Sequence, residues 1–154
     1  PEGFDSWIGF RQGRVGMVFE GIYMLADLQK QKDLDFGGAP VPQVTGRRAV
    51  WADSHNLCLK SGVPERVRDA AWRFVRFLSD HSLDWADGGQ IPTRPSLRDT
   101  ARFRAMAVQS AFARQIPYVE YLPRVPFVFE YQTEYNLAIE KILRGKESPE
   151  RALA

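Results

Sequence analysis

The clearest indication of the fold lies in residues 13–21, Gly13-Arg14-Val15-Gly16-Met17-Val18-Phe19-Glu20-Gly21. The part from Val15 to Phe19 is almost continuously apolar, which is typical of a strand covered on both faces, as in a parallel sheet flanked by helices. Gly21 allows a tight turn after this strand, and apolar residues then recur at helical spacing from Ile22. The sequence therefore predicts a strand, a turn and a helix, and with them an α/β fold.

Other segments extend this alternation of helices and strands. Phe4, Trp7 and Ile8 are spaced as in a short helix, which we expect to end at Gly13. Further helices are predicted over residues 64–80, 99–115 and 127–144, and Ser148 followed by Pro149 predicts a last helical turn. Extended segments are predicted at 34–42 and 56–60, and three prolines predict a loop over 116–126.

The helix over residues 64–80 has the strongest amphipathic pattern of the chain. Its apolar residues follow an i, i+3, i+4, i+7 spacing and its charged residues occupy the other face. The apolar set is Val67, Ala70, Ala71, Phe74, Val75 and Leu78. We also assign Trp72, on this helix, and Trp85 to packing.

Composition excludes several classes of protein. The 154 residues are 44% hydrophobic and 26% charged, enough for an ordinary core, and the net charge of +2 does not favour a nucleic-acid partner. No apolar run approaches the roughly 20 residues of a membrane helix, so we expect a soluble chain. A single cysteine, Cys58, rules out an internal disulfide. The sequence begins at Pro1 without a signal sequence, so any export signal or lipid anchor is expected upstream.

Four stretches, taken in order, resemble a known family. They are Gly13 to Met17 running into the apolar segment, Pro40-Val41-Pro42, Gln90-Ile91-Pro92-Thr93-Arg94, and residues 145–153 from Gly145 to Leu153. In this order they resemble the C-terminal half of the extracellular solute-binding proteins, family 1, which are the sugar-binding components of ABC importers. The resemblance covers essentially the whole chain, which in turn covers about half of a family member.

The resemblance implies a fragment of a two-lobed, type II periplasmic-binding-protein-like fold, with a mixed sheet flanked by helices. Residues 1–38 would belong to the C-terminal lobe, 39–92 would form a hinge crossing and part of the N-terminal lobe, and 93–154 would complete the C-terminal lobe. The implied protein is periplasmic or extracellular, is a lipoprotein if a lipid anchor precedes it, and has membrane permease subunits as partners. The apolar surface that its other half would cover is expected to favour self-association.

The implied ligand is a sugar or oligosaccharide held in the cleft between the lobes. A sugar site needs flat aromatic faces for C–H groups and planar polar side chains for hydroxyls. The family places a polar residue and an aromatic residue where this chain has Glu20 and Tyr23, so Glu20 is expected to accept hydroxyls and Tyr23 to stack. The alternatives are a surface carboxylate and a half-buried core tyrosine.

Three more candidates lie in Ala49-Val50-Trp51-Ala52-Asp53-Ser54-His55, where family members commonly have a glycine-rich loop. Because this chain has side chains in place of those glycines, Trp51 is expected to stack on the ligand, with Asp53 and His55 as polar contacts. A core tryptophan is the alternative for Trp51. Arg94 matches a family position that often reaches the ligand, and the alternative is a structural arginine. The hypothesis requires Glu20, Trp51 and Arg94 to face one groove.

The sequence does not favour an enzyme, and no cofactor or metal is expected. Cys58 and His55 are three residues apart on a predicted strand, which would point them to opposite faces. The motifs HExxH, GxSxG, GxxxxGK[ST] and GxGxxG are absent from the sequence. Glu20 and Asp53 could be imagined as a glycosidase pair, but sugar-binding sites use carboxylates as hydroxyl acceptors without chemistry.

Two other functions stay open. One is a different solute such as a glycerol phosphodiester, because Arg94 and the Arg47-Arg48 pair suit an anion. The other is an α/β interaction domain that associates through an exposed apolar face and binds no small ligand.

Overall fold

Residues at both ends set the bounds of the first helix: Asp5 caps its start, and it stops before Gly13, as the sequence predicts. In the computed structural model, which describes residues 5–44 and 46–154, Asp5 Oδ1 accepts hydrogen bonds from Trp7 N at 2.8 Å and Ile8 N at 3.2 Å. The helix stops before Gly13, whose φ of 67° lies in the left-handed region that favours glycine. The predicted first helix is confirmed, although Phe4 lies outside the described residues.

The chain divides into two units, one ending at Val119 and the other running from Glu120 to Ala154. The α-helices of the first unit are α1 (Ser6–Arg11), α2 (Leu25–Leu28), α3 (Glu65–Asp80), α4 (Ser82–Trp85), α5 (Pro95–Arg98), α6 (Ala101–Ala105) and α7 (Ala107–Ala113). The second unit contains α8 (Val128–Leu143) and α9 (Pro149–Ala152). Short 3-10 turns lie at Ile22–Met24, Ala86–Gly88 and Ile116–Tyr118.

A mixed α/β composition is confirmed, with about half of the residues helical. Two short strands, β1 (Val50–Trp51) and β2 (Val119–Glu120), pair in parallel as a two-stranded sheet. The strand predicted at 15–19 is wrong, and the extended segments predicted at 34–42 and 56–60 form no strand either, because all three lack regular secondary structure. Met17 is 85% exposed. An extended segment needs neighbouring strands to be stable, and an apolar run in the sequence does not supply them.

The predicted helix over residues 64–80 is confirmed as α3, with Pro64 at the N-cap position. Only one side of its apolar stripe is covered: Ala71, Val75 and Leu78 are half-buried, whereas Val67 and Phe74 are exposed. None of its 16 residues is fully buried. The packing role expected for Trp72 is wrong, since this side chain is also exposed. Helix α3 therefore presents apolar surface that the described residues leave uncovered.

The single continuous helix predicted over 99–115 is wrong, because the structure has two helices there, α6 and α7, separated at Met106. Thr100 begins α6 by accepting a hydrogen bond from Phe103 N at 3.3 Å, and the helix ends at Met106, whose ψ of 87° is not helical. Ser110, which lies on the next helix, stabilises the break by donating a hydrogen bond from its hydroxyl to Phe103 O at 3.0 Å. The predicted loop over 116–126 is likewise interrupted, by the 3-10 turn Ile116–Tyr118 and by β2.

The best-packed part of the first unit surrounds the turn at residues 86–89. Ala86 is fully buried, and its carbonyl oxygen accepts a 2.8 Å hydrogen bond from Gln109 Nε2, on α7. Gly89 has a φ of 109° and lies so close to the segment 22–25 that a Cβ atom there would sit 2.3 Å from Ile22 O. This turn therefore joins α7 to the segment that carries Glu20 and Tyr23.

Helix α8 confirms the prediction for residues 127–144, and Gly145 ends it. Gly145 has a φ of 65°, Gly145 N donates to Ile142 O, and Lys146 N donates to Lys141 O at 2.9 Å. This arrangement is a Schellman motif, in which glycine tolerates the left-handed conformation. Ser148 and Pro149 occupy the N-cap and first positions of α9, also as predicted.

The helices found in residues 5–44 and 46–154 are all too short or too polar to cross a membrane. The division into lobes at about residues 38 and 92 concerns a two-lobed protein and stays a prediction.

We expect Gly89→Ala to destabilise the first unit. A Cβ atom would meet backbone at Ile22 and force a left-handed conformation on alanine, so the free energy of unfolding should fall by more than about 1 kcal/mol. Gly16→Ala is the matched control, since a Cβ atom there meets nothing within 4 Å. Urea unfolding of both variants measures the difference, and equal stabilities would contradict the role given to Gly89.

Candidate functional site

Glu20 and Tyr23, two of the candidate residues, form one exposed pair. Glu20 Oε1 accepts hydrogen bonds from Gly21 N at 2.8 Å and from the Tyr23 hydroxyl at 3.3 Å. A Cβ atom on Gly21 would lie 2.1 Å from the Tyr23 ring, so the ring rests directly on the glycine backbone. Glu20 and Tyr23 are three residues apart, and the 3-10 turn Ile22–Met24 folds the chain so that their side chains meet. The pair presents a carboxylate and an aromatic ring on one surface.

The carboxylate changes the acidity of its neighbour. The negative charge of Glu20 raises the pKa of Tyr23 above its ordinary value, and the hydrogen bond to Glu20 adds to this rise. The cause is that deprotonated Tyr23 would place a second negative charge beside the first. Tyr23 is therefore a neutral hydroxyl at neutral pH.

The three candidates in and after β1, Trp51, Asp53 and His55, have separate surroundings. Trp51, in β1, is 58% exposed. Asp53 Oδ1 accepts a hydrogen bond from Ser54 N at 2.7 Å, which is a local turn contact. The His55 ring lies 5.7 Å from the Trp85 ring, with the two planes tilted by 33°. Trp51 is thus available for stacking, whereas His55 contacts Trp85, which we assigned to packing but which is itself 43% exposed.

Arg94 is engaged with the end of α3. Its Nε donates to Ser79 Oγ at 2.7 Å, and its guanidinium forms an ion pair with Asp80 Oδ1 at 2.7 Å. Both partners lie in the last turn of α3, and Arg94 is the N-cap residue of α5. These contacts correspond to the structural alternative given above for this arginine, and they offset its charge.

The predicted residues are brought together in part. Within the described ranges, Glu20 bonds to residues 21 and 23 and Arg94 to residues 79 and 80, and no hydrogen bond or ion pair joins Glu20, Trp51 and Arg94 to one another. The structure also contains an open groove of about 450 Å³, but none of the six candidate residues lines it. Its lining residues are Leu25, Gln29, Phe36, Asp87, Ala105, Met106, Ala107, Val108 and Gln109.

Sequence reasoning missed two groups of residues. Arg102 bridges Asp84 and Asp87 through bonds of 2.7 and 2.8 Å, which fastens α6 to the buried turn at 86–89. The buried glutamines Gln109 and Gln115 hold backbone groups of other segments. Gln115 follows the buried Ala111 by four residues, so its helical spacing could have marked it as inward-facing. The break at residue 106 removes any such signal for Gln109.

In the part of the chain that the structure describes, no group of three His, Cys, Asp or Glu side chains is arranged to hold a metal ion. Comparison of the chain with sequence models of protein families finds no match, and neither does comparison with curated proteins.

The contact between Glu20 and Tyr23 can be tested by titration. One of the five tyrosines should ionise later than the others when tyrosinate absorbance is followed above pH 10, and Glu20→Gln should bring it back to the ordinary range. Because the folded-state pKa is raised, the contact stabilises the fold fully below the unfolded tyrosine pKa of about 10 and this stabilisation is lost above it. Glu134→Gln, an exposed glutamate on α8, is the control. An unchanged titration in Glu20→Gln would contradict the contact.

Proposed function

We propose that the chain belongs to the substrate-binding component of an ABC importer, which captures a sugar or oligosaccharide between two lobes. The observation that carries this proposal is the exposed Glu20–Tyr23 pair. A carboxylate accepts hydrogen bonds from two hydroxyl groups, and an adjacent ring offers a flat apolar face to sugar C–H groups. The pair stands on a well-packed base, because Gly89 presses against the turn that holds it.

The pair suits a neutral ligand better than an anion. Glu20 carries a negative charge at neutral pH, and the hydroxyl of Tyr23 stays protonated beside it. Arg94, which could have attracted an anion, is already paired with Asp80. A neutral polyol therefore fits the local charges, whereas a glycerol phosphodiester would bring a negative phosphate toward Glu20.

The exposed apolar side of α3 supports the proposal that the protein has a second lobe. Its half-buried side packs against the first unit, while Val67, Phe74 and Phe77 face outward. Covering a phenylalanine side chain contributes about 1.5–3 kcal/mol, so a further lobe over this face would be stabilising. In such a protein the ligand bridges both lobes, and its higher affinity for the closed form shifts the population toward closure. Permease subunits in the membrane would recognise the closed form.

The same exposed face favours a second candidate function, that of an interaction domain with no small ligand. Apolar patches of this kind commonly mark protein contacts. Under this alternative the face would be covered by another protein or by a second copy.

A thermal-shift panel distinguishes these functions. We expect glucose, maltose or sucrose to raise the melting temperature of the protein, since a ligand at about a hundred times its Kd adds about 2.7 kcal/mol to stability. Glycerophosphocholine, a glycerol phosphodiester, tests the anionic alternative. Tyr23→Ala should abolish the shift and Tyr135→Ala, on α8, should retain it. Equal shifts in the two variants would contradict the proposed site.

If no ligand shifts the melting temperature, sedimentation tests the interaction domain. Association that increases with protein concentration, and that Phe74→Glu abolishes, would support it. Arg76→Glu, which places the same charge on the opposite side of α3, is the control. A chain that stays monomeric at all concentrations would count against self-association.

A further inference from the structure

A buried glutamine holds the backbone of a segment far away in sequence. Gln115 Oε1 accepts a 2.8 Å hydrogen bond from Val41 N, which lies 74 residues earlier, and Gln115 is only 6% exposed. The backbone of Gln115 is itself fixed, because its N donates to Phe112 O and its carbonyl accepts from Tyr118 N. The acceptor therefore extends from a fixed point of the backbone, and losing it would leave a half-buried Val41 N–H without a partner.

The segment on either side of Val41 lies flat against α7. Pro40 and Pro42 have no N–H group, so Val41 supplies the one backbone donor of these three residues. A Cβ atom on Gly38 would lie 2.7 Å from Val108 Cγ1 and 3.1 Å from Phe112. Residues 108, 112 and 115 share one helical face. Residues 38–41 therefore run along this face.

A second glutamine, Gln43, connects two backbone positions in the part of the chain that follows. Gln43 Nε2 donates to Val41 O at 2.9 Å, and Gln43 Oε1 accepts from Ala49 N at 2.8 Å. One side chain thus joins the backbone of residue 41 to that of residue 49, immediately before β1. Both backbone groups of Val41, its N–H and its C=O, are bound by glutamine side chains.

Two further contacts attach the end of this segment to the same region. The Arg48 guanidinium carbon lies 4.3 Å from the centroid of the Tyr118 ring, a cation–π contact. Residues 50 and 51 then form β1, which pairs with the strand that begins at Val119. Residues 38–44 and 46–51 are therefore attached at successive points to residues 108–119.

Among the described residues, the chain directly after β1 makes no hydrogen bond to another segment, and its contact outside itself is that of the His55 ring with the Trp85 ring at 5.7 Å. Residues 52–60 contain no helix or strand, and residues 53–60 are all exposed. Asp53 bonds to Ser54 N, and Asn56 Nδ2 donates to Ser54 O, so these hydrogen bonds stay within the segment. The change from an attached to an unattached backbone falls directly after Trp51 and Ala52.

We infer that Gln115 and Gln43 form a clasp that makes residues 38–44, 46–51 and 108–119 one rigid body. The Pro40–Pro42 segment, where the sequence places the crossing, then moves with α7. If the proposed sugar-binding function holds, Trp51 approaches a ligand from the body that contains α7, whereas Asp53 and His55 lie on residues 52–60, outside the clasp.

Hydrogen exchange tests the clasp directly. Val41 is flanked by prolines, so its amide can be followed without exchange from its two neighbours. Gln115→Leu removes the acceptor while keeping a side chain of similar size, and exchange at Val41 should accelerate by about tenfold or more. Gln43→Leu should accelerate exchange at Ala49 in the same way. Gln12→Leu, an exposed glutamine at the end of α1, is the control.

Distances between spin labels test the rigid body. Gly46→Cys and Arg114→Cys, in a Cys58→Ser background, place one label on each clasped segment, and both positions are exposed. We expect a narrow distance distribution that broadens in Gln43→Leu. The native Cys58 paired with Arg114→Cys reports on residues 52–60 and should give a broader distribution. Neither measurement needs a ligand.

The outcomes separate the clasp from the proposed function. Unchanged exchange at Val41 in Gln115→Leu, or a distribution from residue 46 as broad as that from residue 58, would overturn the inference. If Gln115→Leu fails to fold, Gln115→Asn, which withdraws the acceptor by one methylene, replaces it. The exchange and distance measurements could succeed in a protein whose melting temperature no sugar shifts. That result would support the rigid body and reject the sugar-binding function.

Discussion

The close approach of Gly89 to Ile22 is the contact on which the first unit depends. A left-handed glycine at this point lets the turn at 86–89 lie directly against the segment 22–25. The same turn carries Ala86, whose buried carbonyl is held by Gln109, and Asp87, which binds Arg102. Three pieces of chain that are distant in sequence therefore meet on one four-residue turn, and the positions of α6, α7 and the Glu20–Tyr23 pair all follow from it.

What the sequence predicts well is local. The ends of α1 and α8 follow from Asp5, Gly13 and Gly145, because a cap or a left-handed glycine acts within a few residues of itself. The strand predicted at 15–19 fails for the opposite reason, since its stability rests on neighbours that an apolar run cannot specify. Met106 is an intermediate case: no proline or glycine marks the break there, and the hydroxyl of Ser110 stabilises it from the following helix.

The contacts of the candidate residues show the same difference between local and long-range interactions. Glu20 and Tyr23 are three residues apart on one turn, so their contact follows from spacing. The partners of Arg94 lie 14 and 15 residues away and depend on how α3 ends beside α5. Gln115 and Val41 are further apart still, and only the folded chain joins them. Predictability therefore falls with the sequence separation of the groups concerned, whatever their chemistry.

Helix α7 links two candidate groups that do not bond to one another. Near its start, Gln109 binds the turn that supports Tyr23, and just beyond its end, Gln115 binds the segment that leads to Trp51. The two glutamines therefore attach two distant segments, one that carries Tyr23 and one that leads to Trp51, to α7 and the residues just after it. Tyr23 and Trp51 are positioned through the same part of the chain, although no hydrogen bond joins their side chains among the described residues.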